Sequence, residues 1–266
     1  MIKNIAFYHF FKPTYNLEET KNIIKARMVK LGIRGTILLA SEGINGSFAG
    51  PIAAMDNFMD FLLKTIGGSH PILKITYSQN IPFTRTLVKV KPAIVAEPGT
   101  TPIDLSKDSA PYITPTELHR WIQEGKKVVI LDTRNEYEYQ VGKFKNSVHL
   151  GTKHFAEFEA DLDKAPAEWK DTPIVTFCTG GIRCEKAAPL MLKKGFREVY
   201  QLDGGILNYF KEIGLGYFEG HCFVFDQRVL LDENLNPTSL AFLQELAQSG
   251  LLDETIIMKH DTNTCL

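Results

Sequence analysis

One cysteine, Cys178, lies at a point of the chain whose surroundings favour chemistry. The apolar run PIVTFC ends at this residue, and a helical pattern begins at about Cys184. Open parallel sheets place their active sites at the carboxyl ends of the strands, facing helix N-termini. The loop between this strand and this helix consists of Thr179, Gly180, Gly181, Ile182 and Arg183. We therefore predict that Cys178 is catalytic and that the loop surrounds it.

The composition of this loop favours a thiolate over a thiol. Gly180 and Gly181 permit backbone angles that turn successive N–H groups inward around one point. The N-terminus of the following helix adds positive potential there, and Arg183 adds a permanent cation. Such surroundings lower the pKa of a cysteine from about 8.5 to roughly 3.5–7.5. The same loop can hold a persulfide, a sulfenate or an oxyanion, and the alternative interpretation is a buried cysteine beside a Gly-rich turn.

The spacing of the loop indicates sulfur rather than phosphate chemistry. Phosphatases with a similar strand–loop–helix plan use C-x5-R, whereas Cys178 and Arg183 are spaced C-x4-R and form a smaller ring. Cys184 either resolves an oxidised Cys178 or packs as a small core residue. Cys222 is expected to pack in the core. No two of these cysteines, nor Cys265, have CxxC spacing, so no metal site is predicted.

Residues 112–220 alternate strands with helices. The predicted strands include KVVILDTR, PIVTFC and REVYQLDGGI, and the predicted helices include TPTELHRWIQEG, NEYEYQVG and EKAAPLMLKKG. Thr114 is the expected cap of the first of these helices, with Pro115 in its first turn. This alternation predicts an α/β domain with a central parallel sheet. Residues 221–266 are a C-terminal extension with one predicted helix near SLAFLQELAQSG.

Residues 1–95 have a different pattern, βαββαβ. Asn16 is the expected cap of a helix that ends at Gly32, and Asn45-Gly46 is predicted to form a tight turn between two strands. The order of elements predicts a ferredoxin-like α+β sandwich. Residues 96–111, rich in Pro and poor in apolar anchors, are predicted to be a linker.

Charge is distributed unevenly over a chain whose net charge is −1. Residues 1–95 carry 12 Lys and Arg against 5 Asp and Glu, a balance of +7, and the remainder carries −8. A basic domain suggests a polyanionic partner, although a solvated face is the alternative. The aromatic and basic side chains that can stack on or neutralise RNA are Tyr8, Phe10, Phe11, Lys74, Arg85, Lys89 and Lys91.

The location of the protein is predicted from what the sequence lacks. The N-terminal residues have no signal-peptide pattern. No apolar run approaches the roughly 18 residues that a membrane span requires. We expect a cytoplasmic protein without a membrane partner.

The motifs of the second half resemble a known domain. KVVILDTRNEYEYQVGKFKNSVHLG, PIVTFCTGGIRCEKAA and VYQLDGGI together resemble a rhodanese domain over its whole length. The resemblance implies that Cys178 forms a persulfide or a related adduct. It also implies that Asp132 and Arg134 brace the loops around the site, although a purely structural pair is the alternative.

The resemblance extends beyond a generic rhodanese domain. RGTILLASEGINGSFAG, CTGGIRCEK and GHCFVFDQRV together resemble the tRNA uridine(34) hydroxylase family. The family implies oxygen-dependent hydroxylation of the wobble uridine at C5, in the anticodon loop of tRNA, to give 5-hydroxyuridine. It implies molecular oxygen as co-substrate and no metal or flavin cofactor. The chain departs from the family where members often carry a C-terminal extension with Cys and His at metal-ligand spacing, since its tail has only Cys265.

Three functions are consistent with these residues. The first is the tRNA hydroxylase, in which Cys178 adds to C6 of uracil or relays oxygen as a persulfide or sulfenate. The second is a sulfurtransferase that carries sulfane sulfur on Cys178. The third is an RNA-binding module with an inactive rhodanese scaffold, which the presence of both Cys178 and Arg183 argues against.

Overall fold

The computed structural model describes residues 1–67 and 71–253. The chain forms two compact units. Of the described residues, the first unit contains those of Met1–Val95 together with the short segment Asp226–Arg228, and the second contains Ala96–Phe225 and residues 229–253. None of the helices within the described ranges is long and apolar enough to cross a membrane.

The first unit is a five-stranded sheet with two helices. Its elements are β1 (Ile2–Phe10), α1 (Leu17–Lys30), β2 (Arg34–Ala40), β3 (Gly43–Pro51), α2 (Ile52–Thr65), β4 (Ile72–Ser78) and β5 (Thr86–Val90). The strand order is β4-β1-β3-β2-β5. The pairs β4–β1, β1–β3 and β3–β2 are antiparallel, and β5 is parallel to β2. The predicted ferredoxin-like sandwich is confirmed.

The two helices pack on the sheet through apolar residues at helical spacing. Ile24 and Met28 of α1 and Phe58 and Leu62 of α2 are fully buried in one cluster with residues from the strands. The side chain of Asn16 accepts hydrogen bonds from the N–H groups of Glu18 and Glu19, because the first N–H groups of a helix have no partner within it.

The predicted turn at Asn45-Gly46 is wrong. The hairpin turns at Ser41 and Glu42, and both Asn45 and Gly46 lie within β3. Gly46 is required there for packing, since a Cβ at this position would lie 2.6 Å from the Phe7 ring. An Asn-Gly pair is typical of a tight turn between strands. A glycine inside a strand can instead be required because a neighbouring group approaches the backbone closely, as the Phe7 ring does here.

The second unit contains the parallel sheet. Its first elements are β6 (Tyr112–Ile113), α3 (Pro115–Gln123), β7 (Val129–Asp132), α4 (Glu136–Val141), β8 (Gly142–Phe144), β9 (Val148–His149) and α5 (Phe158–Leu162). They are followed by β10 (Ile174–Phe177), α6 (Cys184–Lys193), β11 (Val199–Leu202) and α7 (Gly205–Ile213). The sheet order is β6-β11-β10-β7-β9, with every pair parallel. The predicted α/β domain with a central parallel sheet is confirmed.

The chain after residue 213 adds short strands and one helix. These are β12 (Phe218–Gly220), β13 (Cys222–Phe223), β14 (Leu230–Leu231) and α8 (Leu240–Gln248). Cys222, Val224 and Leu231 belong to the same buried apolar cluster as Phe177 of the central strand. Cys222, Val224 and Leu231 therefore contribute to the core of the second unit.

The segment predicted as a linker is anchored on the second unit. The N–H groups of Thr100 and Thr101 donate to the carboxylate of Glu159 at 2.6 and 2.9 Å. Glu97 at its start forms an ion pair of 2.6 Å with the buried Lys186 of α6. These contacts hold the first part of this segment against α5 and α6 of the second unit.

Candidate active site

The sulfur of Cys178 lies inside a loop that joins the central strand to a helix. All four residues of β10 are buried, and Cys178 follows directly, with 1% of its surface exposed. The N–H of Gly181 donates to the Cys178 sulfur at 3.1 Å. Gly181 has a φ of +100°, which a residue with a side chain rarely adopts, whereas Gly180 keeps a negative φ. We call residues 178–183 the cradle.

The carbonyl groups of the cradle are bound by the start of α7. The N–H groups of Ile206 and Leu207 donate to the carbonyl oxygens of Cys178 and Thr179 at 3.0 and 3.1 Å. Gly205 allows this approach, since a Cβ there would lie 2.4 Å from the Cys178 carbonyl oxygen. With their carbonyls held by α7, the cradle residues can turn N–H groups toward the sulfur.

The electrostatic surroundings favour an ionised Cys178. Burial opposes ionisation. It is outweighed by a hydrogen bond from the Cys184 thiol, the positive charge of Arg183, and the backbone N–H groups of Arg183 and Gly180. The net effect lowers the pKa of Cys178 to about 5. The sulfur is therefore mainly a thiolate at neutral pH.

Arg183 is held by a buried carboxylate that sequence reasoning missed. Its guanidinium donates to both oxygens of Glu138, at 2.7 and 2.8 Å. Glu138 lies in α4 with 0% exposure, where burial opposes its ionisation but the two charges of Arg183 and Arg134 lower its pKa overall. The sequence did contain a signal, because Glu138 stands three residues after the helix cap Asn135 and its carboxylate accepts a hydrogen bond of 3.0 Å from the Asn135 N–H. Glu138 fixes the orientation of the Arg183 cation.

The chain matches two domain descriptions. Residues 2–94 match the UPF0176 acylphosphatase like domain and residues 114–212 the rhodanese-like domain. It is 41% identical to a tRNA uridine(34) hydroxylase of Legionella pneumophila (strain Paris), over 87% of this chain and 91% of that protein. It is 43% identical to one of Cupriavidus necator, over 89% and 85%.

The chain belongs to the tRNA uridine(34) hydroxylase family. Among solved structures, it resembles the rhodanese-like domain of an Anabaena protein, with 26% identity and a TM-score of 0.35, over 41% of this chain and 79% of that one.

In this member of the tRNA uridine(34) hydroxylase family, Asp132 and Arg134 form a fully buried ion pair. The guanidinium donates to the carboxylate at 2.6–3.0 Å and to the carbonyl of Gly142 at 2.6 Å. Thr133 between them donates from its N–H and its hydroxyl to the carbonyl of Phe177, at 2.9 and 3.0 Å. The Asp132–Arg134 pair joins the end of β7 to β8, and Thr133 ties it to the strand that carries Cys178.

The other cysteines differ in their surroundings. Burial, followed by the neighbouring Cys178 sulfur, raises the pKa of Cys184 well above its usual range. Burial likewise raises the pKa of Cys222 to about 12. Cys265 lies outside the described residues. Within the described ranges, no group of three or more His, Cys, Asp and Glu side chains is arranged to hold a metal ion.

An exposed aromatic side chain lies beside the cradle. Phe225 is 65% exposed, and its ring centroid is 5.9 Å from the guanidinium carbon of Arg183. Two residues earlier, the carbonyl of Phe223 accepts a hydrogen bond of 3.3 Å from the hydroxyl of Thr179. Sequence reasoning used the motif GHCFVFDQRV only as a family signature and missed Phe225, whose position depends on how residues 223–225 pack on the cradle.

The candidate RNA-contacting side chains of the first unit divide into two groups. Tyr8 and Lys74 are buried, with the Lys74 ammonium 4.7 Å from the Tyr8 ring centroid. Their burial argues against direct stacking on RNA. Arg85, Lys89 and Lys91 are exposed, and Phe10 and Phe11 are partly exposed.

Proposed function

We propose that this protein hydroxylates uridine 34 of tRNA at C5, giving 5-hydroxyuridine, with Cys178 as the reactive group and molecular oxygen as co-substrate. The observation that carries the proposal is a thiolate-stabilising cradle in a chain of this family. The wobble base is unpaired in the anticodon loop, so it can leave the loop and enter a pocket without breaking a duplex. We place this activity in the cytoplasm, where tRNA is available.

The thiolate has a defined role in this reaction. C5 of uracil reacts slowly with oxygen unless electron density is raised there. Addition of the Cys178 thiolate to C6 makes C5 nucleophilic, and the later departure of the sulfur restores the C5–C6 double bond. The other route is the transfer of oxygen to C5 from a sulfenate, formed on the Cys178 sulfur or on the outer sulfur of a Cys178 persulfide. Both routes need the sulfur as an anion next to the base.

Two features support tRNA as the partner. The first unit carries the +7 balance, and Arg85, Lys89 and Lys91 are exposed on and beside β5. Cations at such positions neutralise phosphates without reading sequence. Phe225 offers an exposed ring beside the cradle, and aromatic rings stack on unpaired bases.

A second candidate function is sulfur transfer. The cradle that holds a thiolate also suits the terminal sulfur of a persulfide, and the rhodanese-like domain match extends over the cradle. In this case Cys178 would take sulfane sulfur from a donor such as thiosulfate and pass it to an acceptor thiol or to tRNA.

One experiment separates the two functions. Nucleosides of tRNA from cells that lack the protein are analysed by mass spectrometry, before and after complementation with wild type or with Cys178→Ser. We expect 5-hydroxyuridine to disappear in the deletion strain and to return only with wild type. Unchanged 5-hydroxyuridine together with a lost thiolated nucleoside would replace the hydroxylase by the sulfurtransferase.

A further inference from the structure

His149 lies at the end of β9, beside Asp132 at the end of β7, and backbone groups bind both nitrogens of its ring. Nε2 is 2.7 Å from the carbonyl oxygen of Arg134, and Nδ1 is 3.0 Å from the backbone nitrogen of Gly151. A carbonyl only accepts hydrogen bonds and a backbone N–H only donates them. The ring therefore carries its proton on Nε2, which donates to Arg134, and accepts at Nδ1.

The His149 ring also contacts α4 directly. The ring of Tyr139, in α4, stacks on it with centroids 5.0 Å apart and an interplanar angle of 20°. The Tyr139 hydroxyl donates to the carbonyl of Ser147 at 2.9 Å, and the Lys143 ammonium lies 4.5 Å from the centroid of the Tyr139 ring. His149 is thus joined to the chain just before α4 through Arg134 and to α4 itself through Tyr139.

These two contacts lie on either side of Glu138, the residue that holds the Arg183 guanidinium. Asn135, the cap of α4, donates its N–H to Oε2 of Glu138 at 3.0 Å. The same oxygen accepts a hydrogen bond of 2.7 Å from Arg183. A movement of α4 away from β9 would therefore move the carboxylate that orients the Arg183 cation.

We propose that His149 is a positioning residue for the cradle, which acts through α4 and Glu138 to hold the Arg183 guanidinium in place. The positive charge of Arg183 is one of the groups that stabilise the Cys178 anion. Loss of the two hydrogen bonds of His149 should release the start of α4 from β9 and weaken this stabilisation. The inference concerns the thiolate itself, so it holds whether the thiolate serves hydroxylation or sulfur transfer.

The test compares the titration of Cys178 in wild type, His149→Phe and His149→Gln. Phenylalanine keeps a ring that can stack on Tyr139 but has no hydrogen-bonding nitrogen, whereas a glutamine amide can both donate and accept. The rate of alkylation of Cys178 against pH, resolved by peptide mapping, follows the thiolate fraction. We expect His149→Phe to raise the pKa of Cys178 by about 1 unit, the low end of the effect of a neighbouring charge.

The expected difference in rate follows from this shift. At a pH equal to the wild-type pKa of about 5, a rise of about 1 unit makes alkylation about fivefold slower, because the thiolate fraction falls by that factor. His149→Gln should restore most of the rate. His154→Phe makes the same change at an exposed histidine of the same unit and should titrate as wild type. An unchanged titration in folded His149→Phe would overturn the proposal.

The double variant with Arg183→Ala separates positioning from a general disturbance of the loop. If His149 acts through the Arg183 side chain, His149→Phe should shift the titration of Cys178 little further once that side chain is absent. An equal shift in both backgrounds would mean that His149 affects the cradle by another route, and the proposal would be wrong.

A measurement on wild type keeps the proposal testable even if His149→Phe folds poorly. Nitrogen NMR of histidine-labelled protein distinguishes the two ring tautomers, and we expect the proton of His149 on Nε2. A proton on Nδ1 would contradict both hydrogen bonds and overturn the proposal. None of these outcomes affects the proposed hydroxylation, which the analysis of tRNA nucleosides decides separately.

Discussion

At the scale of single residues, the ionisation of Cys178 depends on a balance between burial, which opposes it, and neighbouring groups that stabilise the anion. A fully buried thiol resists ionisation, and this one ionises because a thiol, two backbone N–H groups and a guanidinium all stabilise its anion. The guanidinium is itself neutralised by Glu138. Arg183 therefore contributes its charge and its backbone N–H, while Glu138 prevents its side chain from swinging toward solvent.

Replacing Cys178 by Ser should abolish hydroxylation of uridine 34 and leave folding and tRNA binding nearly intact. Ser is close in size, but its hydroxyl is hardly ionised at pH 7 and cannot carry sulfane sulfur. The loop should keep its shape, since Gly181, Gly205 and the start of α7 determine it. Product formation is measured by nucleoside mass spectrometry and folding by thermal unfolding. Residual hydroxylation at wild-type rate would remove Cys178 from the chemistry.

Replacing Arg183 by Ala should raise the pKa of Cys178 by about 1–3 units, because an adjacent cation is lost. The folded pKa lies below that of a free cysteine, so the thiolate dominates at neutral pH in wild type, and its titration should shift toward higher pH in the variant. The titration is followed by the ultraviolet absorbance of the thiolate, taken as the difference between each protein and Cys178→Ser. Arg197→Ala, at an exposed ion pair with Asp171, is the matched control and should not shift the titration.

At the scale of elements, hydrogen bonds from the start of α7 hold the backbone of the cradle. Two N–H groups at the start of this helix hold two cradle carbonyls, and this contact requires the backbone of Gly205 to come within van der Waals distance of the loop. Residues 223–225, at the end of β13 and just after it, also contact the cradle. The carbonyl of Phe223 accepts a hydrogen bond from the Thr179 hydroxyl, and the Phe225 ring lies beside Arg183. The site is therefore assembled from three separate parts of the second unit.

Replacing Gly205 by Ala should disrupt the cradle. The new Cβ would lie 2.4 Å from the Cys178 carbonyl oxygen, at a φ of +65°. Gly125→Ala, just after α3, has the same φ of +65° and nothing within 4 Å, so it carries only the backbone strain of about 1–2 kcal/mol. We expect Gly205→Ala to cost about 1–3 kcal/mol more in chemical denaturation, because it also overpacks the site. It should also weaken the thiolate absorbance. Equal losses in the two variants would contradict the contact.

Replacing Phe225 by Ala should raise KM for tRNA, with a smaller effect on kcat. Stacking of a base on an aromatic side chain contributes about 1–3 kcal/mol, which corresponds to roughly 5- to 150-fold in affinity. The variant should fold normally, since the ring is 65% exposed. Phe225→Trp should restore binding. Tyr112→Ala, which removes another half-exposed aromatic ring from the same unit, is the control, and an equal rise in KM there would argue against a specific stacking role.

At the scale of the whole molecule, charge and chemistry lie in different units. The first unit, residues 1–95, holds the +7 balance, and the second holds the cradle. The proposed function assigns phosphate binding to the first unit and the reaction to the second, so substitutions should change affinity and reaction separately.

Reversing the charges of Lys89 and Lys91 to Glu should weaken tRNA binding and reduce its dependence on salt. Each phosphate contact releases about one counterion, so losing two contacts should lower the slope of log K against log salt by roughly 2. Filter binding across a salt series measures this. The double variant of Lys25 and Lys30 on α1 carries the same change in net charge and is the control. A wild-type affinity independent of salt would exclude the first unit from phosphate contact.

The sequence by itself determined both folds and the place in the fold of the candidate reactive residue, Cys178. Helix caps, apolar periodicity and the order of elements are local signals, and the structure confirms the ferredoxin-like sandwich and the parallel sheet that they predict. The placement of Cys178 between a buried strand and a helix also follows from adjacent residues alone.

Only the tertiary structure decided what surrounds the sulfur and which turn closes the first hairpin. Glu138, Gly205 and Phe225 are 40, 27 and 47 residues from Cys178 in sequence, and packing between elements brings them to the cradle. The turn predicted at Gly46 was wrong for the same reason, since this glycine leaves room for the Phe7 ring on a neighbouring strand. A short-range sequence pattern predicts the local backbone conformation, whereas burial and side-chain contacts depend on residues distant in the chain.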